Sequence, residues 1–240
     1  MAKYFDEQKW TEAIKRHTWY LFLAEDLLNL NKKAQEGNGK ITQEIKDEVY
    51  SFFENHLANG DIMLGRQGPN WDQERKPIDT VVIHHTRGNP NITQQRLSAM
   101  HLIRLYALYY ASPTYEPDKY IKGQPIYSNH FRDGKQVFYA YHWLVRMNGD
   151  VERLLPDNET GWHAGNWEVN CRSVAICLDN NYENSSPSDV VLSATAKIIK
   201  ENYGNVDKKR IFGHREINPK KTCPGNLFLD GWKGNLLEII

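Results

Sequence analysis

The chain has few cysteines, no charge imbalance and no long apolar run. Only three of its 240 residues are cysteine, which is too few for a disulfide scaffold. Thirty basic and thirty acidic side chains give a formal net charge of zero, so we expect no nucleic-acid partner. The most apolar N-terminal stretch, residues 19–30, is interrupted by Glu25 and Asp26, which predicts no membrane span.

The amino terminus also lacks the features of a secretion signal. It has no basic head followed by an apolar core and a small-residue cleavage site. We therefore expect a protein that stays in the cytoplasm, or is released or exported by a route other than Sec.

Two apolar stripes recur at helical spacing in residues 1–76. The first covers residues 7–31, and the second runs from Ile45 to a stop at Gly60. This pattern predicts a helical hairpin, which we expect to pack as an N-terminal extension on a main domain formed by residues 77–240.

In residues 77–240, short apolar runs alternate with helical stretches. The sequence predicts strands over residues 80–83, 137–146, 150–155, 173–178 and 210–213, and helices over residues 92–110 and 188–203. Asn148 and Gly149 mark a hairpin, because both residues tolerate the positive φ of a tight turn. Strands interleaved with helices predict an α/β fold with a central mixed β-sheet flanked by helices. Residues 111–135 show no clear period.

Metal-binding side chains follow two of the predicted strands. His84 and His85 come directly after an apolar run, and His214 follows another, nine positions before Cys223. Zinc favours imidazole nitrogen and thiolate sulfur, and a catalytic zinc site uses three protein ligands with a fourth position left open. His84, His214 and Cys223 are candidates for such a site. Spacing alone leaves open two surface histidines and a buried thiol.

Five sequence blocks, in a fixed order, extend this pattern over about 150 residues. The blocks are Val-Val-Ile-His84-His85-Thr, Tyr141-His142-Trp-Leu-Val with Asn148-Gly149-Asp, Gly161-Trp-His163-Ala-Gly-Asn166, Ser173-Val-Ala-Ile, and Gly213-His214-Arg-Glu with Lys221-Thr-Cys223-Pro-Gly225. Residues 78–227 thereby resemble the zinc N-acetylmuramoyl-L-alanine amidases, a family that also includes animal peptidoglycan-recognition proteins. The resemblance does not cover residues 1–75.

The resemblance implies roles for the residues at matching positions. His84, His214 and Cys223 match the zinc ligands of the family, and Tyr141 and Lys221 match its active-site tyrosine and lysine. The implied substrate is peptidoglycan or a muropeptide, and we expect a monomer. The implied reaction is hydrolysis of the amide between N-acetylmuramic acid and L-alanine.

Further residues receive supporting roles by the same comparison. His163 matches a histidine of the substrate groove, and Asn166, Asn170 and Arg172 fall in the loop that contacts the peptide stem in the family. His85 follows the ligand position and is interpreted as a neighbour that supports the site. Glu216, two positions after His214, is expected to fix the ligand loop by hydrogen bonding.

One departure from the family pattern concerns Cys177. Some muropeptide-recycling members carry a glutamate at this point of the strand, and a thiol cannot replace that carboxylate as a base. The phage-type members also lack the glutamate, so the resemblance implies their style of mechanism. We interpret Cys177 as a buried strand residue.

Two other functions compete with amidase activity. One is recognition of muropeptides without cleavage, as in some animal relatives, which typically lose the cysteine ligand that this chain retains as Cys223. The other is a different metal hydrolase, such as a zinc peptidase, built on a similar loop.

Overall fold

The computed structural model describes residues 4–37, 39–111 and 122–240 of the chain. The chain forms two compact units: Met1–Asn70 with Thr93–Phe138, and Trp71–Ile92 with Tyr139–Ile240. Part of the aperiodic stretch, residues 112–121, lies outside the described residues. The division at residue 77 and the packing of residues 1–76 on the main domain stay predictions.

Short helices and strands make up both units. The helices are α1 (Glu7–Ala13), α2 (Trp19–Phe22), α3 (Ala24–Glu36), α4 (Gly39–Asn59), α5 (Gln94–Leu102), α6 (Trp167–Arg172), α7 (Asp189–Tyr203), α8 (His214–Ile217) and α9 (Lys233–Ile239). The strands are β1 (Thr80–His85), β2 (Phe131–Arg132), β3 (Lys135–Gln136), β4 (Trp143–Val145), β5 (Val151–Arg153), β6 (Ser173–Leu178) and β7 (Ile211–Gly213). Two 3₁₀-helices (Trp71–Glu74 and Lys208–Arg210) and two π-helices (Ile103–Tyr110 and Phe228–Trp232) complete the described elements. None of the helices in the described part of the chain is long and apolar enough to cross a membrane.

The first unit packs helices around an aromatic core. Trp10, Trp19, Tyr20 and Phe53 are fully buried there. The second predicted stripe is confirmed as the buried face of α4, which ends just before Gly60. The unit therefore buries its largest side chains among its own helices.

The first predicted stripe does not form one helix. The periodicity of residues 7–31 predicts a continuous helix, and this is wrong because the chain is divided there into α1, α2 and α3. The Trp19 N–H donates to the carbonyl of Arg16, and the Leu21 N–H donates to that of Thr18, so the turns close over three residues. Trp19 and Tyr20, the first two residues of α2, are both fully buried.

The second unit is built on a five-stranded sheet in the order β5-β4-β6-β1-β7. The pairs β4–β6, β6–β1 and β1–β7 are parallel, and β4–β5 is antiparallel across the predicted turn at Asn148 and Gly149. The predicted central mixed sheet flanked by helices is confirmed. The predicted strand over residues 137–146 is shorter, since only β4 pairs, and the Phe138 N–H donates instead to the Ser98 hydroxyl.

One face of the sheet packs against an apolar core, and the other face carries His84. Side chains alternate along a strand, and Val81, Ile83, Val174 and Ile176 join the apolar core that includes residues of α7 and α9. The alternate residues of β1 and β6 point the other way. His84 is among them, so the central strand carries it onto the opposite face of the sheet.

Candidate metal centre

Three side chains that the sequence separates widely come together in the second unit. One ligand atom from each of His84, His214 and Cys223 lies within 4.8 Å of the others. Nδ1 of His84 is 3.7 Å from Sγ of Cys223, and the rings of His84 and His214 have centroids 4.7 Å apart. The structure thus brings together the three residues that the sequence selects as candidate ligands.

The geometry of this cluster fits a metal ion. Zinc lies about 2.0–2.1 Å from imidazole nitrogen and about 2.3 Å from thiolate sulfur, so two such ligands on one tetrahedral ion are about 3.6 Å apart. The His84–Cys223 separation is close to that value. In addition, Nε2 of His214 is buried and has no hydrogen-bond partner among the described residues. A buried unpaired nitrogen costs about 1–3 kcal/mol, and coordination would remove that cost.

His84 owes its position to the central strand. β1 lies between β6 and β7, and His84 is 1% exposed. Its register partner on β6 is Cys177, which is also fully buried. Cys177 is not part of the ligand cluster, and it lies buried in the sheet, as predicted from the sequence.

His214 is held at the junction between β7 and α8. The Gly213 N–H donates to Oε2 of Glu216 at 2.8 Å, and both oxygens of Glu216 accept from Nζ of Lys233, at 2.7 and 2.9 Å. A Cβ on Gly213 would lie 2.6 Å from a ring carbon of the buried Phe228. The junction therefore needs glycine at this position, and Glu216 holds the backbone of the ligand loop.

Cys223 lies in a loop that is tied to the His214 helix. The Arg215 N–H donates to the Cys223 carbonyl at 2.8 Å, and the Arg215 guanidinium donates to the Gly225 carbonyl at 2.9 Å. The His85 N–H also approaches Sγ of Cys223 at 3.4 Å. Arg215 is not predicted from the sequence, and its place directly after His214 is the one signal that marks it.

The two predicted catalytic side chains lie around the cluster. Tyr141 is buried, with its ring centroid 5.1 Å from that of His84. Lys221 is exposed, and its positive charge acts on His214. Both therefore lie near the candidate ligands.

Burial keeps His214 and His85 neutral at neutral pH. Desolvation, with a smaller contribution from Lys221, lowers the pKa of His214 to about 4. Desolvation likewise lowers the pKa of His85 to about 4, against an opposing attraction from Glu183. Neutral imidazole is the form that binds a metal, so His214 is in the competent protonation state at neutral pH.

His85 supports the loop between β6 and α7. Its Nδ1 accepts a hydrogen bond from the Tyr182 N–H at 2.9 Å, and its Nε2 lies 3.9 Å from Oε2 of Glu183. The ring is therefore directed away from the ligand cluster, while its backbone N–H contacts Cys223.

The four side chains predicted to bind substrate all have partners within the chain. His163 contacts His84, and Oδ1 of Asn170 accepts from the N–H groups of His163 and Ala164, at 3.2 and 2.9 Å. Asn166 is exposed and caps α6, and Arg172 pairs with Asp79. Their contact with substrate stays a prediction.

Arg75 is a further residue that is not predicted from the sequence. Its guanidinium donates to the carbonyls of Asp157 and Asn170, at 2.8 and 2.6 Å, and lies 3.0 Å from Nε2 of His142. These contacts brace the loop that carries His163. No local motif marks Arg75, because its partners lie between 67 and 95 positions away.

The chain is similar to proteins described as amidases and to one described as a peptidoglycan recognition protein. The chain is 29% identical over 133 residues to the 1,6-anhydro-N-acetylmuramyl-L-alanine amidase AmpD of Haemophilus influenzae, and the match covers 51% of this chain and 71% of the relative. The solved N-acetylmuramoyl-L-alanine amidase LysC from Clostridium intestinale URNW aligns over 72% of this chain and 92% of its own, at 21% identity and a TM-score of 0.47. Drosophila peptidoglycan recognition protein SD aligns over 66% and 89%, at 19% identity and a TM-score of 0.42.

A family match supplies the classification of the chain. The family described as N-acetylmuramoyl-L-alanine amidase (Amidase_2) matches residues 74–226, a segment that contains all three candidate ligands. That segment is more than half of the 240 residues. The chain therefore belongs to the N-acetylmuramoyl-L-alanine amidase family.

Proposed function

We propose that the protein is a zinc-dependent amidase that hydrolyses the amide between the lactyl group of N-acetylmuramic acid and L-alanine in peptidoglycan or muropeptides. The observation that carries the proposal is the convergence of His84, His214 and Cys223 in a chain of this family. Three ligands leave a fourth tetrahedral position open, which is the arrangement of catalytic zinc sites.

The three ligand side chains would hold zinc through Nδ1 of His84, Nε2 of His214 and Sγ of Cys223. Zinc, when bound, supplies Lewis acidity, which lowers the pKa of a bound water to about 7 and polarises a carbonyl. The rest of the reaction depends on the groups of the chain that lie around the ligands.

Lys221 would stabilise the negative charge that develops on the carbonyl oxygen during attack. Its backbone is held near the cluster because the Lys221 N–H donates to the Asn218 carbonyl at 2.9 Å and Cys223 follows two positions later, and its positive charge acts on His214. A single donor to a developing oxyanion is worth about 3–4 kcal/mol in the transition state. Loss of the ammonium is therefore expected to slow cleavage strongly.

Tyr141 would act through its hydroxyl group. The phenol can orient the attacking water or pass a proton to the leaving amine nitrogen. Its nearness to His84 supports either role. Glu216 is not proposed as the base, because both of its oxygens accept hydrogen bonds from Lys233.

The experiment that tests the proposal is digestion of purified peptidoglycan with the full chain. We expect new amino-terminal L-alanine groups, their loss after chelation and their return on addition of zinc. Cys223→Ala should release none, and the matched variant Cys171→Ala, at a buried cysteine outside the cluster, should remain active. Binding of peptidoglycan by zinc-loaded protein without any release would instead establish a recognition protein.

A further inference from the structure

The ring of His84 uses its two nitrogens on two different neighbours. Nδ1 is directed at Sγ of Cys223, 3.7 Å away, and Nε2 lies 3.0 Å from Nδ1 of His163. The His84 and His163 rings are nearly perpendicular, at 88°, with centroids 5.0 Å apart. His163 in turn places its Nε2 3.1 Å from the hydroxyl oxygen of Ser173.

The protons of this chain of contacts can be assigned by chemistry. A neutral imidazole has one nitrogen that donates and one that accepts. If Nδ1 of His84 gives its lone pair to a metal, Nε2 of His84 carries the proton and donates to Nδ1 of His163. Nε2 of His163 then carries its own proton and donates to Ser173. Every contact in the chain is satisfied by this one assignment.

Burial makes the arrangement a fixed one. His84, His163 and Ser173 are 1%, 6% and 0% exposed. The backbone of His163 is held by Asn170, whose side-chain oxygen accepts from the N–H groups of His163 and Ala164. A ring so enclosed has little surface to offer a substrate, whereas it has a direct contact with a candidate ligand.

We propose that His163 is a positioning residue, which orients the metal ligand His84 by accepting a hydrogen bond from its Nε2, while Nε2 of His163 donates to the hydroxyl oxygen of Ser173. This inference rests on the proposed metal site and deepens it. It gives His163 a role different from the groove contact that the family resemblance implies. Partners of this kind typically change metal affinity by roughly 10–100-fold.

The test is zinc affinity, measured by competition with a chromophoric chelator on the full chain. His163→Leu keeps a side chain of similar bulk but removes the acceptor, and we expect a loss of affinity of roughly 10–100-fold. His163→Asn presents an oxygen near the position of Nδ1 and should retain most of the affinity. His130→Leu, at an equally buried histidine of the first unit, is the matched control and should leave affinity unchanged.

A second readout follows the ligand directly. Cobalt substituted for zinc should show a changed visible absorption spectrum in His163→Leu and in Ser173→Ala, because His84 is no longer held in one orientation. Unchanged affinity and an unchanged spectrum in folded His163→Leu would overturn the proposal. If the leucine variant does not fold, the comparison moves to His163→Asn and His163→Gln. The asparagine variant should then bind zinc more tightly, and equal affinities would overturn the proposal.

These outcomes are separate from those of the proposed function. Wild-type protein that binds no zinc would remove the metal site and the inference with it. Wild-type protein that binds zinc but cleaves nothing would contradict the amidase activity and leave the role of His163 intact. A pure groove contact would raise KM in His163→Leu and leave zinc affinity unchanged.

Discussion

The carbonyl oxygen of Tyr182 occupies the space that a side chain at position 225 would need. A Cβ built on Gly225 would lie 1.9 Å from that oxygen, and the φ of Gly225 is 132°. Tyr182 belongs to the loop that His85 supports, and Gly225 follows the loop residue Cys223 by two positions. The approach of these two backbones therefore fixes where the candidate thiolate ligand can lie.

Gly225→Ala is expected to displace the Cys223 loop. Strained backbone at such a φ costs on the order of 1–3 kcal/mol, and the clash with the Tyr182 backbone adds to it. Zinc content after gel filtration and the denaturation midpoint should both fall. Gly234→Ala is the control, because a Cβ there meets nothing within 4 Å, and alanine in a helix should be neutral or stabilising by up to about 1 kcal/mol. Wild-type zinc content in Gly225→Ala would contradict the packing described.

Cys223→Ser is expected to lose the bound metal. Serine is a poor zinc ligand at neutral pH, so zinc per chain, measured by elemental analysis after dialysis, should fall from about one to near zero. Cys171→Ala should keep the metal, since Cys171 is buried and lies outside the ligand cluster. Equal metal content in the two variants would contradict the assignment of Cys223 as a metal ligand.

Stability of the metal-free protein is expected to fall in mild acid. The folded-state pKa of His85 is about 4, below the unfolded value of about 6.5. The contribution of His85 to the free energy of unfolding is therefore complete above pH 6.5 and is lost as the pH falls towards 4. The loss from His85 alone is on the order of 3 kcal/mol at pH 4.

Substitution of His85 isolates this effect. His85→Asn keeps an acceptor for the Tyr182 N–H and removes the titrating ring. The free energy of unfolding, measured by urea denaturation between pH 7 and 4, should then fall less steeply than in the wild type. His17→Asn, at an exposed position, should leave the slope unchanged. An identical slope in His85→Asn would show that His85 does not carry the acid sensitivity.

Arg75→Met is expected to loosen the loop that carries His163. The variant leaves the carbonyls of Asp157 and Asn170 without their guanidinium donor, at a cost of about 1–3 kcal/mol. Arg66→Met, at an exposed position, should change the free energy of unfolding by less than about 0.5 kcal/mol. Hydrogen exchange in residues 157–172 should rise in Arg75→Met alone, and unchanged protection there would contradict the bracing role.

The features that the sequence predicts well are local ones. The strand Ser173–Leu178 and the turn at Asn148 and Gly149 follow from apolar runs and turn chemistry. His84 follows an apolar run that the sheet buries as its central strand. The contact between His84 and Cys223, 139 positions away, depends instead on which strands pair. It could be expected only from the family resemblance.

The partners of polar side chains could not be predicted in this way. Arg172 pairs with Asp79, 93 positions away, and Arg75 reaches Asn170 across 95 positions. Such contacts depend on how loops face each other once the sheet has formed. The hydrophobic periodicity of the sequence contains no information about that arrangement. The apolar stripe in residues 7–31 similarly predicts which side chains are buried. It does not predict the turns that divide the segment into α1, α2 and α3, because the same side chains can be buried with or without those turns.

The most direct measurement of the central claim is hydrolysis of a defined N-acetylmuramyl-L-alanyl peptide in ¹⁸O-labelled water. For the zinc-loaded protein, mass spectrometry should find the label in the lactyl carboxylate of N-acetylmuramic acid and a peptide with a free L-alanine amino terminus. Chelation and Cys223→Ala should each abolish both products. Stoichiometric zinc together with tight binding of the intact substrate, and no labelled product, would contradict the account and identify a protein that recognises the muropeptide without cutting it.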